Sequence, residues 1–476
     1  MKTFKNFICD LKSRKSEFAI ISSLLIIIGI GFYFLYPFPF FYSDSATYMF
    51  SAWTDSFSVY RPMGYSWYLR GIHNICGNIH FVFCVTYLLH CIAGLFLLYS
   101  FRYLTELKNK YVFYGLCIFT FLSPTLLFST NFIMSDGIFN SLTMLFLATA
   151  IWIIYNKSRG FIIIHLMIFS VLYLTRYSGM FYLPVTIITL FFAFRKQRIL
   201  LRIVVCCIPV LVLLTLQSIV RKEYQKITHV NTTSGFGGWQ LMNNASVLIP
   251  KAKEIPLSEF KTEKERLLHR FFSTVPDSLF TTKAMLTTNL MWNNASPLKQ
   301  FVFSYQQWSR KQYPIAWVEV GQLYAQYAQK LILKYPGNYI TKFILPSLGS
   351  FFTYQEIFED KFPFTNEKMY NEFYGLKENY THSCNLYRNL VPVRHVFNYI
   401  YWTIVFCTIL FFLIRMFKFD WKNPLHLSSF LLLAFICFYI GVSALASPNT
   451  TWRYALPVYM PSILLFSSIL FYRKKS

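Results

Sequence analysis

Charge is what this chain has least of: only 14% of its 476 residues are Asp, Glu, Lys or Arg, against about a quarter in an ordinary soluble domain. Acidic side chains are the scarcer kind, 20 against 45 basic ones. None of them falls in the middle of a long apolar run. Transporters driven by protons or sodium keep carboxylates near the bilayer midplane, so this absence counts against that class. Metal-site spacing is also missing, because His73 and His80 have no supporting His or Cys pattern around them. Cysteines are present, but Cys84, Cys91, Cys117, Cys206, Cys207, Cys407 and Cys437 lie inside apolar runs, where a thiol usually behaves as a small buried hydrophobe. Cys76 and Cys384 alone fall where a disulfide outside a membrane stays open. The basic N-terminus precedes an apolar run longer than the 7–15 residues of a cleaved signal, roughly speaking, so a retained anchor is expected.

What is abundant is apolar surface. Hydrophobic residues make up 55% of the chain, aromatic ones 20%, and phenylalanine alone contributes 52. Runs of membrane-spanning length recur at 18–41, 79–101, 111–131, 137–155, 178–194, 202–220, 396–417, 425–446 and 455–472, with a shorter one at 161–175. A helix needs about 20 such residues to cross a bilayer core of about 30 Å. The pattern therefore predicts an all-α polytopic membrane protein with about ten transmembrane helices. Its expected divisions are an N-terminal transmembrane module at 1–220, an extracytoplasmic domain at 221–395, and C-terminal transmembrane helices at 396–476.

The formal charge of +25 suggests nucleic acid until its distribution is read. With the N-terminus in the cytoplasm, the inner segments carry Lys2, Lys5, Lys12, Arg14, Lys15, Arg102, Lys108, Lys110, Lys157, Arg159, Arg195, Lys196, Arg198, Arg202, Arg415, Lys418, Lys422, Arg473, Lys474 and Lys475. The short outer loops hold only Arg61, Arg70, Arg176 and Arg453. This is the asymmetry that orients a polytopic protein with both termini inside, and no nucleic acid is needed to explain it.

The first outer loop, 42–77, is too apolar for a free linker. It predicts two short amphipathic helices on the membrane surface, at Ala46–Trp53 and Tyr65–His73, separated by the breaker Arg61-Pro62-Met63-Gly64. The second, around Asn131–Gly137, brings Asp136 to the same face, and the third, Thr175–Gly179, brings Arg176. Within 221–395, Ser234–Gly238 reads as a turn, Lys261–Arg270 as a charged helix, and Trp317–Tyr335 as a helix stopped by Pro336-Gly337. The similar phrases Leu241–Ser246 and Leu290–Ser296 read as loops, and the Asn-x-Ser/Thr matches at Asn231, Asn244, Asn294, Asn379 and Asn449 as by-products of composition. Asp44 and Asp136 each precede a helical stretch and have N-capping as the plain alternative. Arg61, Arg176 and Arg453 have snorkelling to lipid headgroups. Convergence of these acids and arginines on scarce outer loops favours a site, since guanidinium groups suit paired hydrogen bonds to phosphate.

Taken together, Asp44-Ser-Ala-Thr-Tyr48, Arg61-Pro-Met-Gly-Tyr65, the stretch from Ser123-Pro124 to Asp136, Leu174-Thr-Arg176 and Arg453-Tyr454-x-x-Pro457 resemble the C-type membrane glycosyltransferases. The nearest branch is the protein mannosyltransferase and aminoarabinose transferase-like group. The resemblance covers the first 220 residues well and the last 80 loosely. It implies Asp44 as the catalytic or acceptor-orienting acid and Asp136 as the second acid. Substrate-binding candidates are Arg61, Arg176, Arg453, Tyr48, Tyr65 and His73. Two departures stand out: Ser45 where many members carry another acid, and Met63 where proline is frequent.

The chemistry so implied is inverting transfer of a sugar from a polyprenyl-phosphate donor to an extracytoplasmic glycan, lipid or protein acceptor. Membrane lipids are partners, no cofactor is called for, and a divalent metal is left open. The implied location is a bacterial inner membrane. The alternative class is a lipid-linked oligosaccharide transporter or polymerase-type membrane protein, which would bind glycans without carboxylate chemistry.

Overall fold

The computed structural model describes residues 2–36, 39–286, 289–353, 420–447 and 452–470, with short pieces at 361–363, 373, 381–383, 396 and 399–410. Among the described residues, the regular structure is helical apart from one antiparallel pair, Lys361–Pro363 with Thr381–Ser383, and a single parallel bridge between Phe40 and Phe132. Among the described residues, five helices are long and apolar enough to cross a membrane: Lys15–Leu35, Ile79–Thr105, Ser135–Tyr155, Ile199–Thr228 and Pro424–Ala446. Shorter apolar helices accompany them at Lys110–Phe121, Arg159–Thr175, Tyr177–Ala193, Tyr399–Leu410 and Leu456–Ser468. The protein is a helical membrane protein.

Burial separates the roles of these helices. Ser135–Tyr155 is 94% buried across its most apolar window, whereas Lys15–Leu35 and Ile199–Thr228 are each 17% buried. The first forms the centre of the bundle. The other two present Ile20, Ile26, Ile27, Leu200 and Leu211 outward, a face that only lipid can solvate without loss. Cys84, Cys207, Cys407 and Cys437 are exposed as well, and Cys91 is buried. The expectation of buried thiols fails for those four because an apolar run on a peripheral helix has an outward face too. Cys384 lies outside the described residues, as do Asn379 and Asn449.

The run expected at 111–131 is not one helix. Lys110–Phe121 ends at Leu122, and Pro124 opens a separate short helix, Pro124–Ser129. Proline disfavours helical geometry in the residue before it and lacks the N–H to continue the ladder, yet suits a first helical position. The resulting turn carries the chain into Phe132 and Ile133, where it pairs with Phe40: Phe40 N–H donates to Asn131 O and Ile133 N–H to Phe40 O, each at 2.9 Å.

Two helices form in the first loop, somewhat longer than predicted, at Ser43–Thr54 and Gly64–Ile75. Gly64 is required there: a Cβ at this position would lie 2.6 Å from the carbonyl of Leu174. The second of these helices therefore starts hard against the end of Arg159–Thr175, which brings the residues before Gly64 close to Arg176.

The segment after Ile199–Thr228 packs over the same end of the bundle around a separate core that includes Trp239, Leu268, Phe272, Val302, Trp317 and Tyr324. Its main helices are Gly237–Ala245, Glu263–Thr274, Pro297–Ser309 and Tyr313–Lys334. The charged helix is confirmed, opened by a capping box of Thr262 and Glu265. Two loop readings change, the lesser being Leu290–Ser296, whose first three residues belong to a short helix, Asn289–Trp292. Leu241–Ser246 is helical through Ala245 rather than a loop, and its buried Asn243 and Asn244 donate to Met285 O at 3.0 Å and to Ala446 O at 2.9 Å. Buried partners that suit an amide override the low helix propensity of asparagine. The stop at Pro336 holds: Tyr313–Lys334 ends with Tyr335 as its C-cap, and Pro336 occupies a first helical position in a new turn, Pro336–Tyr339. Near the end of Ile199–Thr228, Tyr224 OH donates to Val59 O at 3.1 Å and ties that helix to the first loop.

Candidate functional site

Four oxygens and three guanidinium groups make the centre of the site. Asp44 sits in the first turn of Ser43–Thr54, and Asp136 in the first turn of Ser135–Tyr155. Arg61 Nη2 donates to Asp44 Oδ1 at 2.5 Å, and Arg453 Nη1 to Asp44 Oδ2 at 3.1 Å. Arg453 Nε donates to Asp136 Oδ2 at 3.1 Å, while Arg176 Nη1 donates to Asp136 Oδ1. Each carboxylate oxygen therefore receives one arginine, and Arg453 spans the two acids.

Neither acid serves as a plain N-cap. The turn before Asp44 is closed by Ser45, whose Oγ accepts from Tyr42 N–H at 2.9 Å and donates to Ile133 O at 2.7 Å. Ser45 thereby ties the Asp44 turn directly to the loop that bears Asp136. Its hydroxyl is fully buried, and it explains what a serine does at the position where the resemblance calls for an acid.

Tyr48 and Tyr65 reinforce the same seam. Tyr48 OH lies 3.2 Å from Ser135 Oγ, Tyr65 OH donates to Phe132 O at 3.5 Å, and the two rings meet edge to face at 4.9 Å. The structure brings both tyrosines beside the charged cluster. His73 is not brought there. It lies nine residues beyond Gly64 in the same helix, about 13 Å along its axis at 1.5 Å per residue, and stacks on Phe373 at 4.0 Å. Arg70 is also elsewhere, half-exposed and paired with Asp55 at 3.1 Å. Among the described residues, no cluster of three or more His, Cys, Asp or Glu side chains is gathered.

Electrostatics follow from burial and pairing. Burial alone would push the Asp44 carboxyl up, but Arg61 and Arg453 outweigh it and hold the group below its ordinary value. Burial works against the charge of Arg453, and the two facing carboxylates hold its pKa above that of a free guanidinium. Burial pushes the Tyr48 phenol above its ordinary value. Two carboxylates facing three guanidinium groups leave a surplus of one positive charge. An arrangement of this kind can accept a monoanion by sharing arginines that the acids already hold in place.

Sequence reasoning missed the aromatic side of the site. Arg61 lies over the rings of Phe236 and Trp292, with its central carbon 5.2 and 5.5 Å from their centroids. Both rings come from the segment after residue 220, and the only hint in the sequence was the glycine-rich turn beside Phe236. No family model, curated protein or solved structure matches the chain.

Proposed function

We propose that this protein is an integral membrane glycosyltransferase of the C-type, moving a sugar from a polyprenyl-phosphate donor to an extracytoplasmic acceptor with inversion. The observation that carries the reading is the surplus positive charge of the Asp44–Arg61–Arg453–Asp136–Arg176 network. A polyprenyl-phosphate sugar is a phosphodiester with a single negative charge, so the site complements it without a metal of its own.

In this reading the donor phosphate takes up hydrogen bonds from Arg453 and Arg61. Asp44 is then released from part of its pairing, which raises its basicity. The acceptor oxygen bonds to the anomeric carbon as the bond from that carbon to the phosphate oxygen breaks. Its electron pair leaves with the phosphate, and the acceptor proton passes to Asp44. The phosphate gains negative charge during this step, and guanidinium groups already in position stabilise it without reorganisation. Asp136, fully buried between Arg176 and Arg453, orients those arginines.

The same proposal covers the wider architecture: about ten spans, both termini cytoplasmic, residues 221–395 as an extracytoplasmic domain between transmembrane modules at 1–220 and 396–476, and a bacterial inner membrane as the location. A second reading has one observation in its favour. Both Asp44 oxygens are engaged by arginines, which suits a purely structural ion network in a glycan-binding or transport protein.

The deciding experiment is a transfer assay on purified wild type and Asp44→Asn with a polyprenyl-phosphate-linked sugar at matched donor occupancy. Catalysis by Asp44 requires a loss of at least about a hundredfold, the lower range for positioned acid–base groups. Near-wild-type turnover by the variant would assign the network to structure and the protein to binding or transport.

A further inference from the structure

The helix Ser135–Tyr155 carries an amide that the ion network leaves unexplained. Asn140 is 1% exposed, and neither its Oδ1 nor its Nδ2 has a hydrogen-bond partner among the described residues. Other buried asparagines are bonded: Asn131 Nδ2 donates to Tyr36 O at 3.3 Å, Asn243 Nδ2 to Met285 O at 3.0 Å and Asn244 Nδ2 to Ala446 O at 2.9 Å. A primary amide buried without a compensating bond is costly, and doubly so in a helix long and apolar enough to span a membrane. An apolar side chain at this position would serve the unliganded bundle better.

The position of Asn140 on its helix says which side the amide serves. It follows Asp136 by four residues, so it stands about 6 Å further along the axis and about 40° around it, on the same face. The flanks of that face are taken. On one side Gly137 abuts the carbonyl of Ser129 so closely that a Cβ would not fit. On the other, Phe139 packs against Tyr182 with ring centroids 5.6 Å apart, and Thr143 Oγ1 lies 2.6 Å from Tyr182 OH. Between them the face is headed by Asp136 with Arg176 and Arg453, and the amide lies one helical turn deeper in the bundle.

The amide itself restricts the ligand, because it presents a donor and an acceptor side by side. A phosphodiester only accepts, so it would satisfy Nδ2 and strand Oδ1; a metal cation would do the opposite. A hydroxyl does both, and the hydroxyl groups of a sugar ring are the matching chemistry. We propose that Asn140 binds hydroxyl groups of the donor's sugar and so takes part in choosing which sugar is transferred. That the ligand is a lipid-linked sugar rests on the glycosyltransferase reading; that the amide awaits a partner that both donates and accepts rests on its burial and its two unpaired atoms. The free site is closed over the amide and opens when the donor phosphate draws Arg453 away from Asp136.

The test measures binding to the full chain in lipid nanodiscs, without acceptor. The probes are sugar-free polyprenyl phosphate and polyprenyl phosphates carrying mannose, glucose or 4-amino-arabinose. Asn140→Ala and Asn140→Leu should weaken binding of at least one sugar-bearing lipid by about fivefold or more, the effect of losing a neutral hydrogen bond, and leave binding of the sugar-free carrier unchanged. Equal weakening with and without the sugar puts the amide on the phosphate or in the fold, and no weakening of any probe leaves it without a sugar ligand; either result overturns the proposal. Melting temperatures without donor separate a ligand contact from a structural one. Removing an amide that has no partner loses no bond, so at least one of the two variants should melt no lower than wild type. Both melting lower would show that the amide already holds a structural bond, to an ordered water for example, and overturns the proposal as well. Transfer assays keep the two readings apart. Sugar-selective loss in the variants of a protein whose wild type transfers nothing removes the glycosyltransferase reading and keeps the sugar contact. Transfer by both variants with the wild-type KM for donor keeps the enzyme and removes the contact.

Discussion

Arg453 stands 409 residues after Asp44 in the chain and donates to its Oδ2 at 3.1 Å. The same guanidinium reaches Asp136 through Nε, so one side chain near the C-terminus holds together two acids from the first part of the chain. This is a cross-brace between separate helices, and its planar fork is what makes the double contact geometrically available.

Replacing Arg453 by lysine keeps the charge and loses the fork. Arg453→Lys should weaken donor binding by roughly tenfold to a hundredfold, the equivalent of a charge-assisted hydrogen bond of about 1.5–3 kcal/mol. Arg61→Lys and Arg176→Lys should each do the same to a smaller extent, and Arg70→Lys should do nothing. The check is a titration of each variant with a polyprenyl-phosphate sugar. Unchanged donor affinity in all three network variants would return these residues to lipid headgroups or to structure.

Asp136 is more deeply buried than Asp44, with side-chain exposures of 0% and 11%. Its loss leaves Arg176 without a carboxylate in a closed site. Asp136→Asn should therefore cost about 3–5 kcal/mol of stability, as removal of one partner from a buried ion pair does. Asp44→Asn, with Arg453 still paired to Asp136, should cost less. Thermal unfolding of the two variants in the same lipid gives the comparison, and equal melting temperatures would contradict the ranking.

Ser45→Ala tests the seam between the two loops. The variant loses the bonds to Ile133 O and from Tyr42 N–H, at an expected cost of about 1–3 kcal/mol for the stranded buried groups. Transfer should fall along with stability, because the Asp44 turn is no longer tied to the loop of Asp136. Ser45→Thr, which keeps the hydroxyl, should recover part of both.

The pH dependence has a definite sign. Because the folded-state pKa of Asp44 is lowered, its pairing stabilises the fold above the unfolded value of about 3.9. That contribution disappears as pH falls through the lower folded value. The stability difference between wild type and Asp44→Asn should accordingly be flat from neutral pH to about pH 4 and narrow only below it. A difference that already shrinks between pH 6 and pH 5 would show that the arginines do not hold the carboxylate ionised.

Orientation is checked by cysteine labelling. A cysteine introduced next to Lys261, in a background without accessible native thiols, should react with an impermeant reagent from the extracytoplasmic side of intact cells. Reaction only from the cytoplasmic side would sink the proposed topology and the site with it.

The membrane character of the chain was legible in its sequence because an apolar run of spanning length is a local property. Nothing distant can solvate it differently. The helices around Tyr48 and Tyr65, and their separation at Arg61–Gly64, were legible for a similar reason, since periodicity and a Pro-Gly breaker act within a few residues. The gathering of Asp44, Asp136, Arg61, Arg176 and Arg453 was expected from their shared place in the few short loops on one side. Which arginine meets which acid was not. That pairing depends on Gly64 letting one helix end approach Leu174, on the Phe40–Phe132 bridge, and on Ser45 reaching Ile133. His73 shows the limit from the other side, for it shares a loop with Asp44 in sequence yet is carried away by the rise of its own helix. Phe236 and Trp292 could be found only in three dimensions. Their approach to Arg61 is set by packing between chain segments far apart in sequence, and no periodicity or local composition encodes that distance.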